Sequence, residues 1–270
     1  MYGFARADAP ADLRAKFSTL STALANNPFH KPIVLNSREP PDRIEGDVYA
    51  IIPHEFSKIQ TQLARPDAWC DIISLHINTK YCKVMAGGPP EKLLVRMGKK
   101  TPETLADATP FEFAFRASTE TPDYLNVVLH SQTGPIGTSN YSLSLEATTG
   151  TGAQTLLHLR YGYTTSFASR IAMQAYLLTA GRNKVGFTPL QVEPPRAIGG
   201  ARGAMERNTM RYYLAIQAYM DASTAPANEQ FERRLSNWFS AVEQFPVQLH
   251  ELEQKDYLEM KRDEHARELR

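Results

Sequence analysis

The chain is poor in the residues that mark familiar chemistry. It has only two cysteines, Cys70 and Cys82, and no Cys-x-x-Cys pair, so a zinc site built on paired thiolates is not expected. Its 7 histidines show neither His-Glu-x-x-His nor any other metal spacing. There is no Gly-x-Ser-x-Gly elbow and no P-loop. A net charge of +1 gives no global field that would steer the chain to nucleic acid or an anionic membrane. No apolar run approaches the ~20 residues of a membrane span. Internal repeats and low-complexity tracts are absent. These absences leave no catalytic signature, no metal and no cofactor to expect, no nucleic-acid partner and no transmembrane segment.

What is present is a strong alternation over residues 109–185. Phe111, Phe113, Phe115 and Ala117 alternate with Glu112, Arg116 and Ser118. Residues 124–131 follow. Then Tyr141, Leu143 and Leu145 alternate with Ser142, Ser144 and Glu146, and Leu157, Leu159, Tyr161 and Tyr163 with His158 and Arg160. Period two marks strands with one buried face. The links are short and rich in turn formers, so the neighbours are antiparallel. At Ser166 the period becomes helical, with Phe167, Ile171, Ala175 and Leu178 on one stripe. A helix over 166–181 is the expected lid on the apolar sheet face.

Upstream, Leu13, Phe17, Leu20 and Leu24 make a helical stripe stopped by Asn26-Asn27-Pro28. Strands are expected over 31–39 and 43–52, and a helix over 54–64. Residues 66–78 fit either a strand through Ile73, Leu75 and Ile77 or a helix stacking Trp69, Ile72, Ile73 and His76. Pro66 in the first turn favours helix to about residue 75. Strands 80–86 and 92–97 then flank a Gly-Gly-Pro-Pro turn. Downstream of Gly186 a Pro/Gly-rich stretch leads to two helical stripes, Met205 to Tyr219 and Phe231 to Phe245. A last helix turns almost wholly charged over 261–270 and is expected to pack little. The start is ambiguous: residues 1–10 are either a cytosolic beginning or the tail of an export signal, since Ala5-Arg6-Ala7 and Ala7-Asp8-Ala9 have cleavage-site spacing.

The two cysteines hinge on the 66–75 segment. On one straight strand they would lie ~40 Å apart at ~3.3 Å per residue. With a helix followed by a returning strand they come within ~7 Å and can bond in an oxidising compartment. The alternative is two small buried thiols.

The element order, with Pro53-His54-Glu55-Phe56 and Pro66-Asp67-Ala68-Trp69 as a short-helix pair ending near a tryptophan, resembles the START-like superfamily of helix-grip proteins over residues 11–185. That superfamily includes lipid-transfer domains, the birch-pollen-allergen fold and polyketide cyclases. The resemblance implies an α+β helix-grip fold, a curved antiparallel sheet wrapped around a long helix, here 166–181, with a cavity between them. Residues 186–270 would be a helical extension packed on that domain, or a surface for a protein partner or self-association.

In that fold the lining would be Trp69, Phe111, Phe113, Phe115, Tyr141, Leu143, Leu145, Tyr161, Tyr163, Phe167, Ile171, Ala175 and Leu178. Tyrosines suit such a lining, because the ring packs while the hydroxyl seeks a partner. Arg202 and Arg207, beside the glycines 199–203, would supply a polar clamp or else an interhelical network. The expected function is non-catalytic binding of an apolar molecule, a lipid or sterol-like compound, in a bacterial periplasm or outside the cell. The alternatives are a cyclase or aromatase on the same fold, or an assembly protein. The first of these is disfavoured by the placing of Glu112, Glu146, His158 and Arg160 on the face opposite the aromatics, where His158 would be solvated or covered by the C-terminal helices.

Overall fold

The computed structural model describes residues 8–178 and 184–268. Helices α1 (Ala9–Thr19) and α2 (Ser21–Ala25) precede strands β1 (Ile33–Arg38) and β2 (Arg43–Ile52). Helices α3 (Phe56–Leu63) and α4 (Pro66–Ser74) follow, α4 with Pro66 in its first turn. Next come β3 (Thr79–Met85), β4 (Glu91–Met97), β5 (Thr109–Thr121), β6 (Tyr124–Thr133), β7 (Ser139–Thr149) and β8 (Thr155–Thr164). Then α5 (Phe167–Leu178) leads to a short pair, β9 (Pro189–Leu190) and β10 (Arg196–Ala197). Four helices close the chain: α6 (Gly200–Ala222), α7 (Ala227–Val242), α8 (Pro246–Leu249) and α9 (Gln254–Glu268).

The eight long strands form one antiparallel sheet in the order β1-β2-β8-β7-β6-β5-β4-β3. Alternation places Val48, Ile52, Leu93, Phe113, Leu129, Leu145 and Leu159 on one apolar face, in a single core with α3, α4 and α6. Each such side chain stabilises by about 1.5–3 kcal/mol when withdrawn from water. This is a helix-grip α+β fold. The helix it holds is α6, against β1, β2, β8 and α4, and not the expected 166–181. Gly46 on β2 admits it: a Cβ there would lie 2.2 Å from Thr209 Oγ1. α6 is buried on nearly every side, through Met205, Met210, Tyr213, Leu214, Ile216 and Met220. The core therefore draws on residues from both sides of position 185.

α5 rests on α6 and on the 3-10 turn Pro135–Gly137. Phe167 and Ile171, expected to face the sheet, are 73% and 51% exposed. Ala175 is exposed too. The side chain of Leu178, the remainder of the expected helix to 181 and the first seven residues lie outside the described residues. The physical reason for the difference is competition. α6 offers bulk around its whole circumference, so it buries more apolar area against the sheet than a helix with one stripe.

Over β7 and β8 the outer sheet face is covered by α1, not by the C-terminal helices. Leu13, Phe17, Leu24, Tyr49 and Tyr124 form a second core there, with Phe17 edge-on to Tyr49 at 5.8 Å. Arg14 ties α1 down through Asp123 at 2.6 Å and Thr149 at 2.8 Å. The C-terminal helices dock on α6 and on the β3 end of the sheet. Trp238 of α7 stacks on Tyr257 of α9 at 4.9 Å, and the Tyr257 hydroxyl donates to the Leu75 carbonyl at 3.0 Å. The charged tail does pack, because its charges are paired internally. Glu264 sits between Lys80 at 3.1 Å and Lys261 at 2.8 Å, and all three residues are buried.

Cys70 on α4 and Cys82 on β3 are joined by a disulfide, with Cα atoms 5.2 Å apart. The helix alternative for 66–75 is thus the observed one. A side chain bonds the backbone of each edge strand at one point. The Cys82 amide on β3 donates to Glu268 at 2.9 Å, and the Ser37 carbonyl on β1 accepts from Arg202 at 2.8 Å.

Candidate functional site

Three places bring polar groups against apolar walls. The first is the space inside the grip. Tyr141 and Tyr163 stack at 4.8 Å, and Tyr161 meets Tyr212 of α6 at 5.1 Å. Between Ile73, Phe113, Leu143 and the rings of Tyr141, Tyr161 and Tyr212 the free volume is about 10 Å³, at the threshold for a single water molecule. Burial pushes the Tyr141 and Tyr161 phenols up, so both stay un-ionised donors at neutral pH. Trp69 is fully buried, its Nε1–H donating to the Leu63 carbonyl at 2.8 Å. Phe111, Phe115 and Leu145 are likewise core residues. The aromatic stripe and α6 fill the space that the resemblance leaves as a cavity.

The second place is the mouth of the grip. A cleft of about 400 Å³ opens between α5, the β1–β2 turn and the ends of β2 and β8. Pro40, Pro41, Ile44, Tyr163 and Met173 make its apolar wall, while Glu39, Arg43, Ser169 and Arg170 stand on its polar side. Local sequence sets its roof. Ser166 and Ser169 cap α5 reciprocally, the Ser166 amide donating to Ser169 Oγ at 2.8 Å and the Ser169 amide to Ser166 Oγ at 3.1 Å. Arg170 reaches across to the Pro41 carbonyl at 2.6 Å and closes one side. Of the expected lining, Tyr163 is the residue found here.

The third is a charged cluster under α1. His158 lies 2.8 Å from Asp47 and 2.9 Å from Glu146, and Arg160 lies 2.7 Å from Asp47. Tyr49 stacks on the His158 ring at 4.1 Å. Burial opposes charge on His158, but its hydrogen bonds to the two carboxylates outweigh that and raise its pKa. Burial likewise acts against ionised Asp47, and His158 and Arg160 overcome it, so this carboxyl is held low. Every ring nitrogen is committed, which makes the cluster an ion-paired strut between β2, β7 and β8.

Arg202 and Arg207 do not converge. Arg202 donates to Ser37, and Arg207 donates to the Val185 carbonyl at 3.1 Å. Between them Glu206, fully buried, accepts from the amides of Phe187 and Thr188 and the hydroxyls of Thr188 and Ser37. This carboxylate pins the connection before α6, so the polar network expected at the start of this helix is centred on Glu206 and ties it to the preceding connection and to β1. Its nearest signal in the sequence is the lone acid in the Gly-rich start of α6. His76 is buried and stacked on Tyr212 at 4.8 Å, and desolvation holds its pKa well below the usual value. His54 pairs with Asp221 at 2.8 Å. Among the described residues no three His, Cys, Asp or Glu side chains are arranged to hold a metal ion, and no helix is long and apolar enough to cross a membrane.

No protein-family profile matches the chain, and no curated protein matches it. Solved structures similar to it include norcoclaurine synthase from Thalictrum flavum, at 13% identity over 56% of this chain and 87% of that one, with a TM-score of 0.35. Another is Ara h 8.0201, at 10% identity over 70% and 99% of the two chains and a TM-score of 0.39. A third is a conserved protein of unknown function from Enterococcus faecalis, at 10% identity over 92% and 96% and a TM-score of 0.33. Scores this low carry no argument about function. The helix-grip assignment stands on the sheet order and on the helix held within it.

Proposed function

We propose that the chain binds a small, mainly apolar molecule in the cleft beneath α5, without catalysis. The observation that carries this is the cleft itself. About 400 Å³ lies in the usual range for small-molecule sites, which pair an apolar lining with a few placed polar groups. The interior aromatics are the floor that supports Tyr163, and the ligand's polar end would meet the rim at Arg43, Ser169 and Arg170. A lipid or sterol-like compound with one polar terminus fits that distribution. The paired cysteines favour an oxidising compartment, periplasmic or extracellular.

The test is native mass spectrometry of the purified chain followed by organic extraction. The expected result is a co-purified apolar compound whose occupancy falls when Ala201, on the cleft wall, is replaced by Trp. An empty protein that also fails to bind a fatty-acid probe, or binding untouched by A201W in a folded variant, would reject the reading.

A further inference from the structure

Gly199 and Gly200 open α6 with no side chain of their own to cap it. Gly199 is the N-cap, and no side-chain hydrogen bond caps the first turn. A Cβ at Gly199 would meet nothing within 4 Å. α6 has 23 residues, and its aligned peptide units place roughly half a positive charge at this end. Its second residue, Ala201, stands on the wall of the cleft beneath α5.

A second group faces the same space. Tyr163 lines the cleft and is only 7% exposed. Among the described residues its hydroxyl has no hydrogen-bond partner. Burial pushes this phenol up, so it keeps its proton and can donate. On the rim, Arg170 bonds the Pro41 carbonyl, and among the described residues no acid pairs with it. Arg43 shares one acid, Glu45, with Arg38. Among the described lining residues Glu39 is the one acid. Apart from Glu39, the polar groups left to a ligand here are donors and cations.

We propose that the ligand of this cleft carries a carboxylate, seated between the first turn of α6, the Tyr163 hydroxyl and Arg170. This rests on the binding role proposed above for the cleft, and narrows its occupant from any molecule with a polar end to an apolar acid. An ionised carboxylate only accepts hydrogen bonds, through two oxygens, so it satisfies all three donors together. An uncapped helix start favours such an anion, and bonds to a charged group are about twice as strong as neutral ones. An alcohol, a sterol hydroxyl included, brings a proton that only Glu39 could take. The chain of the acid would run along Ile44 and Met173.

The experiment measures decanoate, decanol and methyl decanoate by calorimetry on the full oxidised chain. The proteins are wild type, G199D, Y163F and A201W. Decanoate should bind about tenfold more tightly than either neutral probe. Gly199 has an extended backbone, with φ −105°, so Asp fits there and caps α6 with its own carboxylate. G199D should therefore weaken decanoate by about tenfold or more and leave decanol unchanged. Y163F, the second and independent variant, should weaken decanoate about fivefold. Neutral probes that bind as tightly as decanoate would overturn the carboxylate and leave the cleft reading standing. So would decanoate binding that A201W removes but that ignores G199D or Y163F. Binding of none of the three probes, or binding that A201W leaves untouched, would overturn both readings.

Discussion

Replacing Glu264 by Gln tests how α9 is held. Among the described residues its carboxylate is the only acid within ion-pair distance of two buried ammonium groups, Lys80 at 3.1 Å and Lys261 at 2.8 Å. Lys261 also donates to the carbonyls of His76 and Thr79. Glutamine keeps the shape and removes the charge, leaving two cations away from water without a counterion. Breaking a buried pair in this way costs about 3–5 kcal/mol. For a chain of 270 residues that is a fall in Tm of roughly 5–9 °C. Burial holds the Lys261 ammonium down at about 8. Because that is below its unfolded value, the unfolded chain binds more protons above pH 8, and stability from this group rises with pH there. Without Glu264 the folded-state Lys261 gives up its proton at a lower pH than in wild type, so the E264Q deficit should shrink as pH rises toward about 8 and level off above it, where Lys261 is neutral in both proteins. The triple variant K80M/K261M/E264L, which removes the whole cluster, should be close to wild type. Urea unfolding from about pH 6 to 9 is the assay. An E264Q deficit under about 1 kcal/mol, or one indifferent to pH, would refute the reasoning.

Other outcomes follow from the same packing. Reducing Cys70–Cys82, or the double Ser variant, frees a loop with a sequence separation of 12 and should cost about 3 kcal/mol in chemical denaturation; two reactive thiols in oxidised, folded protein would contradict it. For His158 the folded pKa is raised, so its stabilisation is complete below the unfolded value of about 6.5 and is lost as pH rises through the folded one. The wild-type advantage over H158Q in urea should fall across that window, and parallel pH profiles would reject the imidazolium strut. F113D, at an inner position only 9% exposed, should abolish folding by circular dichroism. E112A, whose side chain is 54% exposed in its pair with Lys92, should be nearly silent, and equal tolerance at both positions would invert the face assignment.

Most of the sheet was legible because period two is a local signal. Phe111, Phe113 and Phe115, or Leu157, Leu159 and Tyr161, state their face without reference to anything distant. The disulfide was legible through Pro66, which fixes a helix start and so folds the chain back. The choice of gripped helix was not, because it is a contest between distant segments. One stripe on 166–181 looked sufficient, while the decisive features were Gly46, which makes room, and the bulk spread around 205–222. Those features become a signal only when read together. The polar cluster was placed on the right face, but nothing local to His158 says that Leu13 and Phe17, over a hundred residues earlier, will cover it. The α5 cleft depends on where strands end, which is the least legible property of any sequence.

The position of α6 in the chain has a consequence for synthesis. β2 cannot be paired on its second side until β8 is made, since Ile52 waits for Thr155 and Arg43 for Thr164. Even then α3 and α4 reach only β3, β4, β6 and β7, and the apolar face over β1, β2 and β8 stays bare until α6, which starts at Gly200. A growing chain thus carries a completed but half-covered sheet over a stretch that includes α5 and the β9–β10 pair. Such a species is aggregation-prone by the same surface that later becomes its core. Folding of this protein is committed late, by a helix near its end, and any chain cut short before residue 222 leaves that surface to the first neighbour it meets.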